Sequence, residues 1–159
     1  MKNKLVWLFA TWFGCGLSPV APGTVGSLVA ILIAWPLARI GFGPVQFAIL
    51  ALVLLYPAML AAGVVAQLTG RKDPQIVVID EVLGQWLALA GALSFSFFTF
   101  VVAFALFRLF DIWKPPPIRR IERIPGGAGI VLDDILAGVY AALVLFLMRQ
   151  AFNMWFNRH

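Results

Sequence analysis

Charged residues are scarce in this 159-residue chain: they make up 12% of it, whereas hydrophobic residues make up 62%. A soluble domain has about 25% charged and about 45–50% apolar residues. Disorder requires low hydrophobicity and high charge, so the composition excludes a disordered protein. It also argues against a soluble enzyme, because too few polar residues remain to cover its surface. With a mean hydropathy of +0.96, the chain is predicted to be a small polytopic membrane protein.

Cysteine and histidine are nearly absent, with Cys15 and the terminal His159 as the single examples. No intrachain disulfide can form. A cysteine-based phosphatase loop needs an arginine six residues after the cysteine, and Ala21 stands there. The chain also has no internal histidine, no Asp-x-Asp pair, no Walker loop and no Asp-Gly…Ala-Arg pattern of the membrane CDP-alcohol transferases. Among phosphate chemistries, these absences leave those that use carboxylates, cations and a metal ion.

Apolar runs separated by Gly, Pro and charged residues predict an all-α membrane bundle of about four to five transmembrane helices. Residues 4–16 resemble a signal peptide, but Trp12 and Phe13 stand where a cleavage site needs small residues. We therefore expect an N-terminal amphipathic or interfacial segment that stays on the protein. The whole chain, residues 1–159, is interpreted as one domain. The predicted spans are 24–40, 45–68, 76–93, 95–110 and 130–148.

The net charge of +5 comes from basic residues that lie beside the apolar spans. This arrangement argues against nucleic-acid binding and favours anionic lipid headgroups as partners. The positive-inside rule then places residues 1–23, 70–75 and 111–129 on the cytoplasmic side. The basic residues on that side are Lys2, Lys4, Arg71, Lys72, Arg108, Lys114, Arg119, Arg120 and Arg123, against Arg39, Arg149 and Arg158 on the other.

Four polar groups approach this same predicted cytoplasmic boundary. They are the 18–27 segment, the Asp80-Glu81 pair, the Arg108, Asp111 and Lys114 set, and the 126–134 segment with Asp133 and Asp134. A carboxylate at the centre of a membrane helix costs about 2.5–3.5 kcal/mol. Convergence at a polar cavity would reduce that cost, and a divalent cation would reduce it most, because hard cations prefer carboxylate oxygens. The sequence therefore predicts a functional site here, with structural ion pairing to the nearby cations as the alternative.

Residues 78–84 and 131–137 align without a gap, each carrying a carboxylate pair followed by an apolar helix. Gly84 and Gly138 lie four residues after Asp80 and Asp134, so each helix has a small residue on its acidic face. Two such helices could bring four carboxylates together around one or two Mg²⁺ ions.

Cations and turns near these carboxylates suggest phosphate binding. Arg108 and Lys114 could contact a phosphate, whereas arginines 119, 120 and 123 could equally serve as headgroup anchors. The turn at Thr24 could present backbone N–H groups to an anion, or Thr24 or Ser18 could be a plain helix N-cap. The 126–129 glycine run could shape a phosphate-approach loop or be a flexible turn.

Four segments carry a resemblance to a known family. They are LSPVAPGTVGS (17–27), IDEVLGQW (79–86), FRLFDIWKPPPIR (107–119) and GGAGIVLDDILAGV (126–139). In these strings, which occur in order over nearly the whole chain, the sequence resembles the phosphatidylglycerophosphatase A family. The resemblance implies an all-helical, Mg²⁺-dependent phosphatase of the bacterial inner membrane. Its reaction converts phosphatidylglycerophosphate into phosphatidylglycerol and inorganic phosphate.

Together, the motifs and the resemblance assign roles to eight residues. The expected Mg²⁺ ligands are Asp80, Glu81, Asp133 and Asp134, one of which could instead be the general base. Asp111 is expected to complete or orient the site. Arg108, Lys114 and the Thr24 turn are expected to bind phosphate. The sequence leaves open the number of metal ions, and whether water attacks directly or after an aspartyl-phosphate forms.

Two other functions remain open at this stage. The chemistry would serve a different phosphomonoester lipid equally well. A small ion-binding transporter or channel would also use intramembrane carboxylates, although the outer halves of the spans are almost purely apolar. Small-residue faces are compatible with a homodimer.

Overall fold

Helices account for all the regular structure in residues 2–156, which are the residues that this computed structural model describes. A 3-10 turn at Cys15–Leu17 follows the first helix. The seven helices are α1 Lys2–Ala10, α2 Pro22–Arg39, α3 Pro44–Thr69, α4 Ile79–Leu89, α5 Phe97–Trp113, α6 Ile118–Ile121 and α7 Gly127–Phe156. The predicted all-α class is confirmed.

Three helices, α2, α3 and α7, are long and apolar enough to cross a membrane. The 17 residues of α5 rise about 26 Å, slightly less than the hydrocarbon thickness of about 30 Å. These four correspond to the predicted spans 24–40, 45–68, 95–110 and 130–148. Exposed large apolar side chains cover them, among them Leu32, Val53, Leu109 and Leu147. The membrane character predicted from composition is thus confirmed.

The prediction of a helix over 76–93 is wrong in extent. Helix α4 has only 11 residues, a rise of about 17 Å, because the chain is not helical before Ile79 or after Leu89. A contact with the end of α1 fixes its start, since the Val78 N–H donates a hydrogen bond to the Ala10 carbonyl at 2.9 Å. After α4, Ser96 begins a new helix by accepting a hydrogen bond from the Thr99 N–H at 3.1 Å.

The chain nevertheless continues to the far end of the bundle after α4 stops. Phe95 packs against Phe47, near the start of α3, with ring centroids 5.6 Å apart. Trp35, near the end of α2, packs 5.1 Å from Phe100. Residues 90–96 therefore run in irregular conformation to the end of the bundle where α2 ends and α3 begins. That this part of the chain crosses the membrane stays a prediction.

Helix α4 is the central element of the fold. It packs against α2, α3, α5 and α7, and nine of its residues are buried. The Trp86 Nε1–H donates to the Ala30 carbonyl of α2 at 3.1 Å, which satisfies the one polar atom of that buried ring. A short helix enclosed on all sides can hold the Asp80-Glu81 pair at its start in a fixed position.

The N-terminal segment packs on the bundle rather than crossing it. Its turn places Trp12 edge-to-face on Trp86, with centroids 5.5 Å apart. Leu5, Leu8 and Phe13 stay exposed on its outer surface. This arrangement agrees with the predicted interfacial segment over 4–16, although the exposed side of α1 is largely apolar.

Candidate active site

A cavity of about 460 Å³ opens at one end of the bundle, where α2, α4 and α7 begin and α5 ends. All eight predicted site residues line it: Thr24, Asp80, Glu81, Arg108, Asp111, Lys114, Asp133 and Asp134. Seven of them lie on the helices α2, α4, α5 and α7, and Lys114 directly follows α5. The tertiary structure therefore brings together groups up to 110 residues apart in the chain.

Close packing of α4 on α7 aligns the two acidic helix starts. A methyl group added to Gly138 would collide with the Gly84 backbone, and one added to Gly84 would lie 2.6 Å from the Asp134 carbonyl oxygen. The expectation that small residues allow this approach is confirmed.

Three carboxylates form the centre of the site. One oxygen each from Asp80, Glu81 and Asp134 lie within 4.8 Å of one another. Asp80 and Asp134 are each 5% exposed. The Glu81 Oε2 atom is buried and accepts no hydrogen bond, and among the described residues none of the three carboxylates forms an ion pair. This concentration of uncompensated negative charge is the strongest electrostatic feature of the site.

Asp133 is not part of that cluster, contrary to its predicted place beside the other three. Its Oδ2 atom accepts a hydrogen bond from Lys114 Nζ at 2.7 Å, while its Oδ1 atom is buried without a partner. Consecutive residues of a helix point about 100° apart, so Asp134 faces α4 while Asp133 faces the end of α5.

Two ion-pair groups flank the three carboxylates. Arg108 pairs with Asp111 at 2.5 Å and reaches Ser27 Oγ at 3.5 Å. Lys114 contacts both Asp133 and, at 3.1 Å, Glu122. Burial lowers the pKa of Lys114, but its hydrogen bonds to these two carboxylates outweigh that effect and raise it above its usual value. Two positive charges are therefore held at the cavity wall by acidic partners.

The beginning of α2 completes the wall. The helix starts at Pro22 after Ala21, and no side chain caps it, so the interpretation of Thr24 or Ser18 as an N-cap is wrong. Ser18 instead bonds locally to Val20. At Gly23 the backbone lies so close to Glu81 Oε1 that a methyl group there would displace the Glu81 side chain. The uncapped N–H groups of the first turn therefore lie beside the acidic cluster.

Within the glycine run before Asp133, Gly126 lies in the turn before α7 at a φ of +78°, whereas Gly127 and Gly129 have a packing role. A methyl group on Gly127 would collide with the Met59 carbonyl of α3, and one on Gly129 with the Ile124 carbonyl. Gly127 therefore lets α7 start in close contact with α3, and Gly129 lets it start close to the preceding loop. None of residues 126–129 lines the main cavity.

Sequence reasoning missed two acidic residues near the cavity, Asp73 and Glu122. Asp73 lines it from the 70–78 loop, and Glu122 holds Lys114. Partial burial raises the pKa of Asp73, an effect that Lys114 reduces and Glu122 reinforces. Both lie in polar loops, where a carboxylate is unremarkable in sequence. The only available signal was their proximity in the chain to charged motif residues.

A polytopic helical bundle with clustered carboxylates and two held cations around one cavity defines a membrane enzyme that acts on phosphate esters. The family model described as Phosphatidylglycerophosphatase A matches residues 8–149. The chain therefore belongs to the phosphatidylglycerophosphatase A family, as its sequence motifs indicated, and it is a phosphatase.

Curated relatives match over most of both chains. A phosphatidylglycerophosphatase A of Escherichia coli is 38% identical over 151 residues, covering 93% of this chain and 86% of the relative. One of Haemophilus influenzae is 38% identical over 145 residues, covering 91% and 88%. A Bacteroides thetaiotaomicron protein, provisionally named a phosphatidylinositol-3-phosphatase, is 39% identical over 147 residues, covering 89% and 92%. No solved structure matches the chain.

Proposed function

We propose that this protein removes the terminal phosphate of phosphatidylglycerophosphate, giving phosphatidylglycerol and inorganic phosphate, at the cytoplasmic face of a bacterial inner membrane. The observation that carries the proposal is the convergence of three unpaired carboxylates and two held cations on one cavity. Family membership supports the choice of substrate, because two of its relatives carry the name phosphatidylglycerophosphatase A.

The carboxylate cluster fits a divalent cation such as Mg²⁺. Oxygens from Asp80, Glu81 and Asp134 lie within 4.8 Å of one another, and the buried Glu81 Oε2 lacks any hydrogen-bond donor. Mg²⁺ is bound through carboxylate oxygens and retains several waters. When bound, the ion would lower the pKa of a water and neutralise charge on the phosphoryl oxygens. Asp133 could join as a ligand through its unpartnered Oδ1 atom.

The cations would bind and orient the phosphate monoester. Arg108 and Lys114 lie on the cavity wall, and each is held by at least one carboxylate that fixes its position. Charge-assisted hydrogen bonds from such groups are short and strong. The uncapped first turn of α2, with the Thr24 N–H, adds backbone donors at the positive end of a helix dipole.

A carboxylate of the cluster would act as the general base. It takes a proton from a water whose oxygen attacks phosphorus, while the bond from phosphorus to the glycerol oxygen breaks. The carboxylate then releases this proton to the glycerol oxygen, which leaves as the terminal hydroxyl of phosphatidylglycerol. Proton transfer of this kind contributes about 10²–10⁴-fold to a rate. Asp111, through its ion pair with Arg108, would orient the phosphate-binding side.

The location of the site suits a substrate that stays in the bilayer. The cavity lies at one end of the apolar helices, so a phosphate headgroup can reach it while the acyl chains remain among lipids. The positive-inside pattern supports the cytoplasmic orientation. A homodimer remains a prediction that native mass spectrometry in detergent would test.

A second candidate substrate is a phosphoinositide, favoured by one observation. The Bacteroides relative, which matches at 39% identity, carries a phosphatidylinositol-3-phosphatase name. Both lipids present a phosphate monoester on a headgroup, and the same carboxylates and cations would process either. The transporter alternative loses its support, because all seven Asp and Glu side chains lie near the site end and none continues a polar path to the far end.

Phosphate release by the purified protein would test the proposal. Phosphatidylglycerophosphate, phosphatidic acid and phosphatidylinositol 3-phosphate would be compared in mixed micelles, each with Mg²⁺ and with EDTA. We expect Mg²⁺-dependent release that is fastest from phosphatidylglycerophosphate. Faster release from the phosphoinositide would replace the substrate but keep the site. Full activity in EDTA would overturn the metal assignment, and release from none of the lipids would overturn the proposal.

A further inference from the structure

A second cavity lies at the end of the bundle opposite the site. Its volume is about 210 Å³, and its walls come from the 92–94 turn, from α5 and from α7. Most of the lining side chains are apolar. They are Ala92, Leu93, Phe98, Val102, Leu145, Met148 and Phe152, together with Ser94, Thr99 and Arg149. Phe98, Met148 and Leu93 are exposed on the outer surface, so the cleft opens towards the side of the bundle.

Arg149 is the only charged residue among the described residues that line this cleft. One of its terminal nitrogens donates to Ser94 Oγ at 2.5 Å, but its Nε atom is buried without a hydrogen-bond partner. No ion pair to Arg149 is present among residues 2–156. A guanidinium prefers two parallel hydrogen bonds to an anionic group, and this one lacks the second partner.

The charge distribution makes the opposite end suited to an anion. All seven Asp and Glu residues of the chain belong to the catalytic cavity, to its immediate rim or to the loop that holds Lys114. Arg149 lies 15 residues after Asp134 on the same helix, about 22 Å along its axis. Among residues 2–156, no Asp or Glu side chain therefore lies near Arg149, and its positive charge is left for an anionic group at the membrane surface.

We propose that this cleft binds an anionic phospholipid of the leaflet opposite the catalytic site. The lipid phosphate would pair with the terminal nitrogens of Arg149, and one acyl chain would lie in the apolar cleft between α5 and α7. Charge complementarity selects an anionic lipid over a zwitterionic one, and the apolar walls select a lipid over free phosphate. The bound molecule would be a structural lipid, separate from the substrate.

Native mass spectrometry of the detergent-purified protein would test the proposal with added phosphatidylglycerol or phosphatidylcholine. The wild type and an Arg149→Gln variant would be compared. Arg39→Gln serves as the matched control, because Arg39 is an exposed arginine at the same end, with its guanidinium 5.8 Å from the Trp35 ring centroid. One lost charge-assisted contact corresponds to about a tenfold weaker affinity.

We expect the wild type and Arg39→Gln to retain one more phosphatidylglycerol than Arg149→Gln, with no such difference for phosphatidylcholine. Phosphate release should be the same in all three, which separates this site from the catalytic one and shows that the variants are folded. Equal phosphatidylglycerol retention by wild type and Arg149→Gln would overturn the proposal. Equal retention of both lipids by the wild type would overturn the selection for an anion.

Discussion

Single carboxylates in this protein occupy different environments although they are neighbours in the chain. Asp134 faces Asp80 and Glu81, and no cation pairs with it, whereas Asp133 is bound to Lys114 at 2.7 Å. The two residues share a helix turn and almost the same burial, at 5% and 4% exposure. Their partners, rather than their exposure, therefore distinguish a candidate metal ligand from a residue that holds the lysine proposed to bind phosphate.

We expect Asp80→Asn and Asp134→Asn each to lower kcat/KM by about 10²–10⁴-fold, because each removes a charge from the proposed metal and base cluster. The thermal stability of both variants in detergent should be unchanged or higher, since one of three mutually repelling charges is gone. Asp73→Asn is the control, a carboxylate at the same cavity but outside the cluster, and should cost less than about tenfold. Full turnover by both cluster variants would exclude the assignment.

Lys114→Gln should lower kcat/KM by about 10–100-fold through loss of a charge-assisted phosphate contact. The pKa of Lys114 is raised, so the lysine stays protonated until the pH passes above its ordinary value. The fold decrease in kcat/KM that Lys114→Gln causes should consequently be constant across neutral and mildly alkaline pH. A pH profile of both proteins measures this, with exposed Arg120→Gln as the unaffected control. If the activity of the wild type fell at mildly alkaline pH and that of Lys114→Gln did not, the expectation would be wrong.

At the scale of elements, the site depends on how closely α4 and α7 approach. Glycines at the crossing allow backbone contact, and this contact sets the distance between Asp80 and Asp134. Because α4 is short and enclosed, it has no exposed face on which a shift could be absorbed. The helix pair therefore acts as the rigid support of the carboxylate cluster.

Gly84→Ala tests that support. Its new methyl group would lie 2.5 Å from the Phe107 ring and 2.6 Å from the Asp134 carbonyl oxygen, so a helix must move. We expect a loss of about 1–3 kcal/mol in stability and a drop in activity, measured by thermal unfolding in detergent and by phosphate release. Ala105→Leu adds more volume on the exposed side of α5 and should change stability by less than about 0.5 kcal/mol. Equal effects of the two changes would show that the crossing is not constrained.

Across the whole molecule, charge is separated between the two ends. The carboxylates and most cations lie at the catalytic end, while the opposite end carries Arg39 and Arg149 among the described residues. This separation agrees with the positive-inside pattern, which predicts that the end with the carboxylates faces the cytoplasm.

Thiol labelling would test the orientation in intact cells. In a Cys15→Ser background, which removes the only cysteine, Val45→Cys and Arg120→Cys place one thiol at each end on exposed positions. A membrane-impermeant reagent should label position 45 in intact cells and position 120 only after the membrane is opened. Labelling of position 120 in intact cells would reverse the orientation.

The apolar composition of the chain explains why so much of the site could be predicted. In apolar helices each charge is costly, so the few that occur indicate a shared cavity, and all eight predicted residues line one. The same reasoning could not find Asp73 and Glu122, because a carboxylate in a polar loop costs little and carries no such signal. The end of α4 at Leu89 was equally hidden, since the residues after it stay apolar.

By itself, the sequence determined the class of protein and the set of polar residues that meet, because hydrophobicity along the chain decides what enters a bilayer. Only the tertiary structure decided which carboxylates cluster and which bind Lys114. The rotation of α7 separates Asp133 from Asp134, and the glycine contact with α4 fixes their distances from Asp80. The cleft at Arg149 also exists only in the fold, because α5, α7 and the 92–94 turn enclose it from distant parts of the chain.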